Sequence, residues 1–167
     1  MSHPALGLPP LDHRAGLPEA ARRLRAARTR LAATGLQAAV KQDPTLTERH
    51  DELALRELLR DADRHLEQLA QAMETGQPHL VTTYAEWVQP AYRRRHVPAG
   101  DQAALLRGLA DAASTVLSPS ETEALAGYVM AWLQVLEFHR RLPGDHKGNA
   151  AARFIWKGAG ILDDSII

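Results

Sequence analysis

"LRDADRHLEQLAQAM", residues 59–73, decides the fold class. Leu59, Ala62, Leu66, Leu69 and Met73 recur at steps of three and four, and Leu55 extends the line by a turn. A half-buried strand would carry apolar residues at every second position; this spacing keeps them on one face of an α-helix. Asp43 and Pro44 supply a start for that helix, as N-cap and first helical residue. Gly76-Gln77-Pro78 supplies its stop.

The same reading extends in both directions. Pro18 opens a segment rich in Ala, Leu and Arg, with Leu17, Ala21, Leu24, Arg28 and Leu31 on one line; Gly35 is expected to weaken its end. Downstream, Leu80, Tyr84, Trp87 and Ala91 share a face, and Pro90 is expected to bend the helix near Glu86. Asp101 is expected to cap the next helix, whose buried line is Leu105, Leu109, Ala112 and Val116. Ser120 and Glu123 have the spacing of a capping box. The last long helix carries Leu125, Val129, Trp132, Leu136 and His139 on one line before Pro143-Gly144 stops it.

Five helical segments joined by short connections, with no alternating strand of useful length, predict an all-α antiparallel bundle over residues 17–142. Residues 1–16 read as an irregular arm rich in Pro and Gly. Residues 143–167 read as a tail in which Phe154, Ile155, Trp156, Ile161, Leu162, Ile166 and Ile167 crowd a stretch broken by glycines. Such an apolar tail is expected to pack on its own bundle, across a homodimer, or on another protein, with Trp156 as the anchor.

Composition removes several function classes. The 167 residues suggest one domain, and 20 basic against 20 acidic residues give no global attraction to nucleic acid or to an anionic membrane surface. The absence of cysteine excludes disulfides, thiolate zinc sites, iron–sulfur clusters and cysteine nucleophiles. No apolar run approaches the ~18 residues of a membrane span, and the start does not read as a signal peptide. A cytoplasmic location is the expectation.

Asp61 and His65 stand at i, i+4 and share a helix face. Metal ligands use this spacing, but a di-metal carboxylate bundle shows two Glu-x-x-His motifs, and the sequence has none. The expected role is structural, with His65 beside Ala62 and Leu69 and hydrogen-bonded to Asp61 or to another helix. Tyr84, Trp87, Tyr92, Tyr128 and Trp132 fit core packing, as does His139 on its apolar line. An alternative groups His65, Tyr84, Trp87 and His139 around a tetrapyrrole or another flat cofactor, with a histidine as axial ligand. The arginines at positions 22, 23, 25, 28 and 30, and at 93–95, point in several directions and are expected to form solvated faces. No phosphate loop, nucleophile elbow or zinc-protease motif is present, so catalysis is not expected and no metal or resident cofactor is assigned.

Arg49-His50, Asp61-x-x-x-His65-Leu66, Ala72-Met73, Tyr84-x-x-Trp87 and Arg95-His96-Val97-Pro98 follow one another in order. This series resembles the helical region found ahead of the cobalamin-binding domain in many bacterial sensor and regulator proteins. The likeness covers roughly residues 46–117. Position 50 holds His where the family has Tyr, and position 96 holds His where the family has Gly. No cobalamin-binding α/β domain follows within the sequence, so the resemblance implies a regulatory or signalling helical module and does not carry cobalamin binding with it. The expected function is a non-enzymatic regulatory or protein-interaction module.

Overall fold

The computed structural model describes residues 15–141. Among these residues six helices follow in order: α1 (Pro18–Gln42), α2 (Leu46–Arg49), α3 (Glu52–Thr75), α4 (Pro78–Arg94), α5 (Ala99–Ala113) and α6 (Pro119–Arg141). Among the described residues there is no strand, and no helix is long and apolar enough to cross a membrane. The arm up to residue 14 and the tail from residue 142, with its apolar cluster at 154–167, lie outside the described residues.

The additional helix comes from a break after Arg49. Asp51, not Asp43, caps the central helix: its extended backbone lets the carboxylate accept from Ala54 N–H at 2.8 Å. Asp43 follows the end of α1 and accepts from the Thr45 backbone and hydroxyl, closing the turn into α2. Gly76 ends α3 in the left-handed region at φ 67°, where a side chain would be strained.

Two other helix starts differ from expectation. The capping box before α6 is Ser118 with Glu121, two residues earlier than Ser120 with Glu123. Ser118 N–H donates to the Glu121 carboxylate at 2.8 Å, and Glu121 N–H donates to Ser118 Oγ at 3.3 Å. Asp101 is no cap either: α5 begins at Ala99, and Asp101 sits buried in its first turn, facing α2. α4 runs through Pro90 to Arg94. Pro90 and Glu86 are both exposed, so water can serve the carbonyl that proline leaves without a donor.

α1 packs mainly on α3 and α5, and α6 leans on α3, α4 and α5. The pairing of α1 with α3 is antiparallel, because Arg25 reaches Glu67 and Glu74 while Arg28 reaches Asp63 and Glu67. Arg23 bridges to Glu121 and to the Val116 carbonyl. These three arginines therefore join helices and do not form the solvated face expected of them; Arg22 stays outward with Glu19. Gly35 does not end α1, which continues to Gln42. It marks the crossing with α5, where a β-carbon on Gly35 would stand 2.5 Å from Leu109 Cδ2 and one on Gly108 would stand 2.2 Å from the Gly35 carbonyl oxygen.

The core holds Leu66, Leu69, Leu109, Val129, Trp132 and Leu136 as expected. Leu59 does not join them. It is 37% exposed, and Leu58 takes the buried position; Leu59 lines a surface groove with Ala33, Leu36, Val40 and Leu55 of α1 and α3. The buried stripe of α4 is Val81, Ala85, Val88 and Tyr92, one residue on from the expected line. Val81, Ala85 and Val88 are the residues that α4 turns into the core, and Trp87 is left 75% exposed.

Candidate recognition cleft between α3 and α4

One turn of α3 after another places Asp61, Arg64, His65 and Gln68 on a common face. α4 runs antiparallel beside it and contributes Tyr84, Trp87, Tyr92 and Arg94, and Arg95 follows at its C-terminal end. Between them lies a cleft of about 580 Å³.

His65 forms its floor. The ring is buried; Nε2 lies 2.6 Å from Tyr92 Oη and Nδ1 lies 3.3 Å from Tyr84 Oη. In either neutral tautomer one ring nitrogen donates and the other accepts, so the two phenols together satisfy it. Trp132 meets the ring edge-on at a centroid distance of 4.7 Å. Burial pushes His65 down to about 4, against a smaller opposing pull from Asp61. Burial also pushes the Tyr84 phenol up to about 12 and the Tyr92 phenol well above its usual value. These groups offer no acid–base pair poised near neutrality.

Asp61 does not hydrogen-bond His65. Its carboxylate pairs with Arg95, whose guanidinium lies 4.9 Å over the Tyr92 ring, and stands 4.0 Å from Arg64. The Asp61/His65 spacing thus serves ties from α3 to α4 and the turn after it, and of the two partners expected for His65 it is another helix, not Asp61, that bonds it. Above them Trp87 stacks on Tyr84 at 6.0 Å and 29°, its indole turned to water. Arg64 and Arg94 also line the cleft.

Of the four residues grouped as a cofactor site, the fold brings together His65, Tyr84 and Trp87. His139 does not line this cleft; its Nδ1 lies 2.9 Å from Arg93. His65 has both ring nitrogens engaged by tyrosines, so axial ligation there would require breaking the buried network. Among the described residues no group of three or more metal-ligating side chains gathers. What the cleft presents is an aromatic face with cations beside it.

A second polar cluster was not legible as such in the sequence. His50 Nε2 lies 2.7 Å from Asp101 Oδ2, and Arg49 donates to both Asp101 oxygens and to Asp43. The cluster ties α2 to α5, and its carboxylate raises the Arg49 guanidinium above its usual range. Beside it the buried amides of Gln89 and Gln102 join α4 to α5 at 3.0 Å. Their only sequence signal is a polar residue on a stripe that otherwise turns inward. The turn after α4 places His96 at φ 57°, the left-handed region.

Comparison with models of protein families and with curated proteins finds no match to this chain.

Proposed function

We propose that this chain is a non-catalytic helical regulatory module that acts by docking on a protein partner, similar in kind to the helical region ahead of cobalamin-binding domains in bacterial sensors. The observation that carries the proposal is Trp87. A tryptophan 75% exposed and stacked on Tyr84, in a cleft that Arg64 and Arg94 also line, contributes little to its own fold and has the composition of an interface anchor. The resemblance is supported at single positions. Asp61 and Arg95 pair with each other, His65 joins Tyr84, and Arg49-His50 both hold Asp101. The family's glycine falls at position 96, where this chain holds a positive φ. The module works in the cytoplasm and self-associates through its C-terminal tail, residues 154–167, as a homodimer.

The test places a photoreactive phenylalanine at position 87 of the full chain in its native cells. A single stoichiometric cross-linked product is expected that disappears with Arg94→Glu and is absent when the photoreactive group stands at Met130. No product at position 87, or one indifferent to Arg94→Glu, overturns the proposal. A second reading, a sensor for a flat ligand, is favoured by the same cleft: a planar molecule with acidic groups would stack on Trp87 and pair with Arg94, with no ligation by His65. A Soret or bilin band in the absorption spectrum of the purified protein would select it.

A further inference from the structure

Leu59 continues the apolar line of α3 and yet is left partly exposed, at 37%. It faces a groove between α1 and α3. Ala33, Leu36, Val40, Leu55 and Leu59 form the floor of one stretch of about 400 Å³, and the groove continues past Ala33 and Leu59 toward Thr29 and Arg64. Lys41 and Arg60 line it, and neither makes an ion pair among the described residues. The acid within it, Asp63, is taken by Arg28. An apolar trough bordered by cations that have no acid partner among the described residues calls for an apolar segment that carries acids.

The chain contains one. Residues 161–167 read Ile-Leu-Asp-Asp-Ser-Ile-Ile: four large apolar side chains around Asp163 and Asp164, with no cation. We propose that this C-terminal segment occupies the α1/α3 groove, its isoleucines and Leu162 on the apolar floor and its aspartates against Lys41 and Arg60. The lengths match. From Thr29 to Lys41 the groove runs on the order of 18 Å along α1, enough for seven residues as two helical turns of roughly 10 Å or for most of them extended. The reach is available as well. α6 ends at Arg141 beside the C-terminal half of α4, where His139 meets Arg93, and the 142–160 stretch can span up to about 60 Å. A small domain is only about 30 Å across. The assignment rests on reading the tail as the chain's interaction element and adds the surface that receives it.

The absence of cysteine lets introduced pairs report one contact at a time. In the full chain, Gln37→Cys on the groove's edge is paired with Ser165→Cys and oxidised mildly. The control pair is Glu86→Cys, on the exposed face of α4, with Ser165→Cys. The groove pair should form its disulfide in several-fold higher yield than the control. Adding Lys41→Glu and Arg60→Glu, both at exposed positions, should remove that advantage. A product migrating as one chain places the segment in its own groove, and a product of two chains places it in the groove of a second copy; both support the assignment. Equal yields for the two pairs, or a groove yield indifferent to charge reversal, overturn it. Preference for Glu86→Cys overturns the groove while leaving the tail an interaction element, so the two readings fail separately. Circular dichroism of each variant verifies that the bundle is intact.

Discussion

His65 and Tyr92 join α3 to α4 through a hydrogen bond of 2.6 Å between Nε2 and the phenol, wholly inside the protein. The imidazole is neutral there because burial disfavours its cation, and this makes stability depend on pH. The folded value is about 4 against an ordinary 6.5, so between those values the unfolded chain binds the proton and the folded chain does not. The contribution is fully present above pH ~6.5, falls as the pH drops toward 4, and levels off below. Between pH 6.5 and 5 the loss should be about 2 kcal/mol, read as a urea unfolding free energy, and His65→Gln should flatten that slope. An unchanged slope in the variant would show that His65 titrates normally in the fold.

The crossing of α1 and α5 makes a directional prediction about glycine. Ala is the better helix former by about 1 kcal/mol, so a helical Gly→Ala change stabilises where there is room. Gly127 has open space around it, and Gly127→Ala should raise the melting temperature. Gly108 faces a backbone oxygen that cannot swing aside, so Gly108→Ala should instead lower stability by about 1–3 kcal/mol. Thermal melts of the two variants should move in opposite directions.

Trp87 and Trp132 separate surface from core. Trp132→Ala empties a buried site among His65, Tyr84 and the α6 stripe and should cost about 3–5 kcal/mol. Trp87→Ala should stay within about 0.5 kcal/mol of the parent, because the indole is mostly in water. Chemical denaturation measures both; a large loss at Trp87 would mean that it is held by more than Tyr84.

Asp61 should prove a tie and not a ligand. Asp61→Ala leaves Arg95 with Glu57 at 3.7 Å as its remaining acid and should cost about 1–2 kcal/mol. Arg95→Met in the same background should add less than it does alone, since the two changes break one interaction. Stoichiometric metal in the purified parent that is lost from Asp61→Ala would refute this role.

The tail has a bulk consequence. Removing residues 153–167 should convert a dimer to a monomer or lower the melting temperature. Light scattering with thermal melts decides it: a monomeric full chain whose truncated form melts at the same temperature leaves the tail neither clasp nor staple.

The sequence alone determined that the chain is helical and where most helices lie, because a 3.6-residue period and turn-forming Gly and Pro are local properties. Leu66, Leu69 and Met73 had to share a face whatever packed on them, and Gly76 had to end their helix. Rotation about the helix axis was not local. On α4 the lines through Leu80, Tyr84 and Trp87 and through Val81, Ala85 and Val88 are both apolar, and only close packing on neighbouring helices chose the second. Partners distant in sequence were equally hidden. Asp101 has the spacing of a cap until α2 brings Arg49 and His50 to it, and the arginines of α1 look solvated until α3 offers Asp63, Glu67 and Glu74. In the cleft, the pairing of Asp61 and His65 on one face was legible. Their separate partners, Arg95 and the two tyrosines, were decided by tertiary structure, because a charge or a buried ring nitrogen takes whichever complementary group the packed helices deliver.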